Sequence, residues 1–184
     1  MRAPGQHSRQ GYTLLEIILV LALILILASI STLPMLSMLA DARQSAAGDC
    51  VRARLADARA NAMAESRPWK LAFIPNTGIY QLAPEDSSEW DNTSTDVVEK
   101  EDVIRDELPK DVVFSLNQED ILNNQHALPA GSSWETIAIY VPEGHARDDV
   151  TVYFGKPGLG PNRAVLRGLT GSVSIETFNL KVDQ

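Results

Sequence analysis

The chain has 184 residues, 16 Lys/Arg against 24 Asp/Glu and a formal net charge of −8, a length that holds one ordinary domain or a modest domain with an appendage. With 45% hydrophobic residues it is neither a disordered tail nor a collagen-like repeat, and its single cysteine, Cys50, excludes an internal disulfide framework and a multi-cysteine zinc site. Residues 1–70 carry eight basic and five acidic side chains, for +3, and residues 71–184 carry eight and nineteen, for −11, a field that does not draw nucleic acid.

The first element is an apolar run. Ile17 to Ala40 is 24 positions without a charge, and Ile17 to Leu27 is unbroken aliphatic. As a helix, 24 residues extend about 36 Å, enough to cross the ~30 Å hydrocarbon core of a bilayer. Three readings compete. A cleavable secretory signal also begins with basic residues such as Arg2 and Arg9, but it needs small residues at a cut after the run, where Ala28-Ser29-Ile30 is a weak candidate. A plain membrane anchor is the second. The third gives meaning to Glu16, a carboxylate between Leu15 and Ile17. An unpaired carboxylate at membrane depth costs about 2.5–3.5 kcal/mol or more, so it needs a partner, a function, or an escape to the headgroup boundary.

Gly11-Tyr12-Thr13-Leu14-Leu15-Glu16, followed by the aliphatic run, resembles the processing motif of type IV pilins and type II secretion pseudopilins. The resemblance implies that a prepilin peptidase cuts between Gly11 and Tyr12 on the cytoplasmic side and then N-methylates Tyr12, where the family usually has Phe. It implies a cleaved leader, residues 1–11, and a filament-core transmembrane helix over 12–40. Glycine at position 11 lets the peptidase approach the backbone closely. The fresh amine, with an ordinary pKa of about 7.7–8.0, is mostly cationic at neutral pH and can neutralise Glu16 of a neighbouring subunit. Arg2 and Arg9 precede the run while Arg43, Arg52 and Arg54 follow it, so a Lys/Arg tally does not orient the segment. Amino end inside and remainder outside follow from the resemblance.

Beyond Ala40 the helix turns amphipathic. Ala47, Val51, Leu55, Ala58 and Ala62 form one stripe, expected to pack on a sheet. Arg43, Arg52, Arg54, Asp57 and Arg59 lie off it and are expected to face water or partner subunits. Cys50, beside the stripe, reads as a small, partly buried apolar residue. Pro68 stops the run, which gives an amphipathic segment over 41–67. A helix from about Tyr12 to Arg67 is about 80 Å long, and Pro34 is expected to kink or locally melt it.

From residue 68 to 184 the pattern is that of strands. Lys70–Ile74, a turn at Pro75-Asn76-Thr77-Gly78 and Ile79–Leu82 read as a hairpin. Val112–Leu116, Ile137–Val141, Val150–Phe154, Ala164–Leu166 and Ser172–Glu176 are further strands, several alternating in polarity as half-buried antiparallel strands do. The expected fold class is α+β, a long N-terminal helix packed on a small antiparallel sheet. Residues 85–111, with eleven Asp/Glu and three Lys/Arg, read as a solvated acidic loop. Asp86, Glu89 and Asp91 could offer oxygen ligands there, although their spacing does not match an EF-hand. Arg52 to Leu82 and the stretch Val150-Thr151-Val152-Tyr153-Phe154 through Leu169–Ile175 resemble the H-type minor pseudopilin and its pilus counterparts.

No catalytic constellation is present. Gly155-Lys156-Pro157-Gly158-Leu159-Gly160-Pro161 lacks the Gly-Lys-Ser/Thr ending of a phosphate loop and reads as a turn between strands. His7, His126 and His145 are scattered, and metalloprotease, serine-hydrolase and Ser-x-x-Lys motifs are absent. No cofactor or metal is expected. The resemblance implies a non-enzymatic minor pseudopilin of a type II secretion system, anchored in the bacterial inner membrane with its C-terminal domain in the periplasm. Its partners are then prepilin peptidase and other pseudopilins. A minor pilin of a type IV pilus is the alternative; a DNA-uptake version would need a basic patch, for which Arg163 and Arg167 are the candidates.

Overall fold

In a computed structural model the described residues are 12–92, 96–100, 102–123 and 133–177, with the side chains of 30–37 outside the description. The chain divides into two compact units, Met1–Leu39 and Ala40–Gln184. One helix, α1 (Leu14–Glu65), contributes to both. The helix is continuous through Pro34, so the local melting expected there does not occur. It ends at Glu65 because Ser66 adopts φ +55, the left-handed geometry that closes many helices, and Pro68 follows two residues later.

Among the described residues, the second unit holds the outer part of α1 and nine strands in two antiparallel sheets, where a single sheet was expected. The strands are β1 (Trp69–Phe73), β2 (Ile79–Pro84), β3 (Val98–Lys100), β4 (Val103–Glu107), β5 (Val113–Ser115), β6 (Glu135–Tyr140), β7 (Val150–Gly155), β8 (Asn162–Arg167) and β9 (Ser172–Thr177). The first sheet runs β3-β4-β2-β1-β6 and the second β5-β7-β8-β9. The expected hairpin is β1–β2, with Leu71 opposite Leu82. Its turn carries Asn76 at φ +62, and the Thr77 hydroxyl donates to the Ile74 carbonyl at 2.7 Å. The turn also bonds the second sheet: Asn76 N–H donates to Phe114 O at 2.9 Å, and Phe114 N–H donates to Thr77 O at 2.8 Å.

The stretch read as a solvated acidic loop is the main departure. Residues 85–111 contain a 3-10 turn (Ser88–Asp91) and the strands β3 and β4, and β4 pairs with β2 inside the five-stranded sheet. Two short strands, Val-Glu-Lys and Val-Ile-Arg-Asp-Glu, look solvated because each offers only one or two apolar side chains beside its charges. Specific partners carry their charges. Arg105, 1% exposed, donates through Nε to Gln81 Oε1 at 2.7 Å and through Nη2 to the Asn92 carbonyl at 3.2 Å, with its guanidinium over Trp134.

The helical stripe packs as its spacing requires. Ala47, Leu55, Ala58 and Ala62 are fully buried, and Val51 nearly so. Val51 and Arg54 border a closed gap with Leu71, Tyr80, Phe114 and Ile137, and a side chain at Gly48 would begin 3.5 Å from Ile175 of β9. Alanine therefore serves closeness, letting one helix touch both sheets. Phe114 joins the sheets: its ring lies 5.0 Å from Phe73, and 6.4 Å from both Tyr80 and Phe154.

Candidate functional site

The residues singled out by sequence stand at the head of α1. Gly11 lies outside the described residues, as do the rest of the leader and His7. Tyr12 and Thr13 precede the helix, and Tyr12 is 80% exposed. The Thr13 hydroxyl accepts the Glu16 N–H at 3.2 Å, and the Thr13 carbonyl accepts the Ile17 N–H at 3.2 Å. Thr13 is thus the N-cap and Glu16 the third helical residue, a Thr-x-x-Glu capping arrangement that puts a carboxylate at the positive end of the helix dipole. Among the described residues no cation pairs with Glu16, so its counterion is not supplied by the rest of the described chain. Thr13 was not singled out from the sequence, although Thr-Leu-Leu-Glu ahead of an apolar run is a readable capping signal.

Beyond Glu16 the helix is apolar on every side. Leu14, Leu15 and each large aliphatic residue from Ile17 to Leu27 are 44–79% exposed. The first polar group after them is self-satisfied, since Ser29 Oγ donates to the Ile26 carbonyl at 2.7 Å. Among the described residues no helix is long and apolar enough to cross a membrane. In the sequence the run stays free of charge through to Ala40. A sleeve of bare aliphatic side chains on all faces requires cover, from lipid or from neighbouring helices.

In the second unit the charges of the helix and the β domain pair with one another. Arg43 reaches Asp111 at 2.7 Å, and Arg54 lies 3.1 Å from Asp57 and 3.6 Å from Asp106, so these two arginines, expected to face water or partner subunits, are partly exposed and pair with acids of the β domain. Arg52 pairs with Asp49 on its own helix at 3.5 Å. The buried Tyr80 hydroxyl donates to Asp106 at 3.1 Å, receives Arg54 Nε at 3.3 Å and touches the Cys50 thiol at 3.2 Å. Burial, then the Cys50 contact, pushes the Tyr80 hydroxyl well above its ordinary range. Cys50 is half-buried, as its position beside the stripe implied.

The two arginines considered for a nucleic-acid patch are both engaged, Arg163 with Glu176 at 2.8 Å and Arg167 with Asp149 at 3.4 Å. Of the three acids considered for a cation, Glu89 is held by Lys100 at 2.6 Å. Among the described residues no group of three or more His, Cys, Asp or Glu is gathered around one point.

Residues 6–32 match the family described as the prokaryotic N-terminal methylation motif. No curated protein matches the chain. Among solved structures, the minor pseudopilin EpsH from the Type 2 Secretion System of Vibrio cholerae is similar at 11% identity and a TM-score of 0.47, over 73% of this chain and 97% of that one. The matched motif stands at the head of a long helix, and an antiparallel β domain follows it in the chain.

Proposed function

We propose that this chain is a minor pseudopilin of the H type, a structural subunit of the periplasmic pseudopilus of a type II secretion system, with no chemistry of its own. Prepilin peptidase trims it between Gly11 and Tyr12 and methylates the Tyr12 amine. The apolar helix holds it in the inner membrane, amino end in the cytoplasm and β domain in the periplasm, until it enters the filament. Glu16 then meets the cationic amine of a neighbouring subunit. One observation carries the reading: a capped carboxylate opens a helix whose aliphatic side chains are bare on every face, inside a matched methylation motif. The pattern from Arg52 to Leu82 supports the H type.

Two measurements on cells test it. Mass spectrometry of the chain from wild-type membranes is expected to find an N-methylated Tyr12 at the amino end; residues 1–11 still attached, or a cut at Ala28–Ile30, refutes it. Deleting the gene is expected to leave folded exoproteins in the periplasm while pilus-dependent motility and DNA uptake persist. The opposite outcome assigns the chain to a type IV pilus.

A further inference from the structure

Among the described residues the two sheets present four edges, β3 and β6 in the first and β5 and β9 in the second. The unpaired N–H and C=O groups of an edge are a template for another strand, and proteins blunt them with short strands, charge, proline, bulges or covering chain. β3 has only three residues, two of them Glu99 and Lys100. β6 is covered, since Tyr140 bridges to Ala146 and the Arg147 N–H donates to the Ile139 carbonyl at 2.9 Å. β5 is covered at Phe114 by the β1–β2 turn. β9 is treated differently. It runs six residues in unbroken register with β8, without proline or lysine, and among the described residues nothing pairs with its other side. Its one charge, Glu176, is held by Arg163.

Beside this strand α1 leaves a groove of about 370 Å³, between Asp41, Ser45, Gly48 and Arg52 on the helix and Ile175 and Thr177 on β9. Because β9 is the last strand of its sheet, a strand added to it lies over the groove, along the helix. From Asp41 to Arg52 the helix rises about 16 Å, the length of about five residues of extended chain. The wall is fixed, since Gln44 Nε2 donates to the Gly160 carbonyl at 2.7 Å. Arg52 is turned to Asp49 at 3.5 Å, while Asp41 stands in no ion pair among the described residues, so the groove has one carboxylate to spare. We propose that the open side of β9 is a docking site for an extended segment of another protein, which adds to the sheet as a strand and sets a lysine or arginine against Asp41. Main-chain bonds to β9 give such a contact its affinity, and the alternate side chains facing α1 give it selectivity. A second copy joined edge to edge brings the same spare carboxylate in place of a cation, and is the poorer occupant.

The test is hydrogen exchange at β9 in the full chain in detergent, read by mass spectrometry, with two synthetic peptide pools at millimolar concentration. Both pools are hexapeptides alternating valine and threonine; one carries a lysine at each position in turn, the other a glutamate. The lysine pool is expected to slow the β9 amides that point away from β8 about three-fold, and the glutamate pool to leave them unchanged. Asp41→Lys is expected to exchange the two preferences. Gly48→Leu keeps the helix, because leucine favours it over glycine, and puts a side chain in the groove beside Ile175; it is expected to abolish the slowing. No slowing by the lysine pool, equal slowing by both pools, or slowing that survives Gly48→Leu overturns the proposal. Protection that appears without peptide and grows with the concentration of the chain assigns the edge to a second copy and overturns it as well. Trimming at Gly11 plays no part in these measurements, so the functional reading stands or falls separately.

Discussion

Glu16→Gln separates two roles that Glu16→Ala would mix. As the third helical residue after a threonine cap, Glu16 supports the helix start as well as any filament contact. Glutamine suits that capping position equally well, so the substitution removes the charge and keeps the cap. What the helix itself loses is the favourable placement of an anion at its amino end, about 0.3–1 kcal/mol. What the proposed filament contact would lose is larger. With no cation beside Glu16 among the described residues, the neighbour's amine would be left desolvated and alone, at a cost of about 3–5 kcal/mol. That corresponds to a fall in incorporation of about two to three and a half orders of magnitude, with insertion into the membrane unchanged. The assay is cross-linked co-purification with the major subunit, normalised to membrane-inserted chain. Glu16→Ala is expected to fail at least as badly. Wild-type incorporation of the glutamine variant would refute the pairing and leave Glu16 as a capping residue alone.

Three further outcomes concern the β domain. Leu55→Ala, at a fully buried position of the helical stripe, is expected to lower stability by about 2–5 kcal/mol in denaturant titration of the full chain in detergent. Arg105→Lys keeps the charge but cannot reproduce the fork on Gln81 and Asn92 or the stacking on Trp134; a loss of about 1–3 kcal/mol is expected, and none if charge alone matters. Glu85, gripped by both terminal nitrogens of Arg147 at 2.7 and 2.9 Å, has its carboxyl held below the usual value of 4.5. Its contribution is complete above 4.5 and is lost as the pH falls through the lowered value. Acid titration of stability should therefore be shallower in Arg147→Ala than in the wild type.

The helix and most strands were legible because their periodicities are unambiguous. Ala47 to Ala62 recur at helical spacing and are buried, and the β1–β2 hairpin lies within a residue or two of where its turn residues put it. The region 85–111 was not legible as structure. Counting its charges gave a solvated loop, whereas Asp106 is satisfied by Tyr80 and Arg54, and Arg105 by Gln81, all at least 24 residues away in sequence. Pairings of that range leave no local periodic mark. The division into two sheets was hidden for the same reason, since it depends on the β1–β2 turn bonding to β5 and on Ala146 donating to Gly168 at 2.9 Å. At the amino end Tyr12 and Glu16 were visible by motif, and Thr13 by a capping signal that the motif overshadowed.

How the charges are disposed decides what kind of partner the chain can hold. Recognition of nucleic acid needs cations free at the surface. Beyond residue 70, the described Lys100, Arg105, Arg147, Arg163 and Arg167 all stand in ion pairs with carboxylates of the same domain, leaving Lys110 and Lys156 outside such pairs. Because acids outnumber bases there, this pairing consumes the cations first and leaves an anionic surface. The first unit is the reverse case, with little charge and a great deal of uncovered aliphatic surface around one carboxylate. Under the proposed function, association through that unit would be driven by apolar contact and focused by a single charge. Such a contact is expected to persist in high salt, because a buried pair is screened far less than exposed ones. If the proposed function holds, a subunit drawn into place by its amino-terminal helix would carry an outer domain whose surface is free to differ from that of its neighbours, as a minor component of a filament requires.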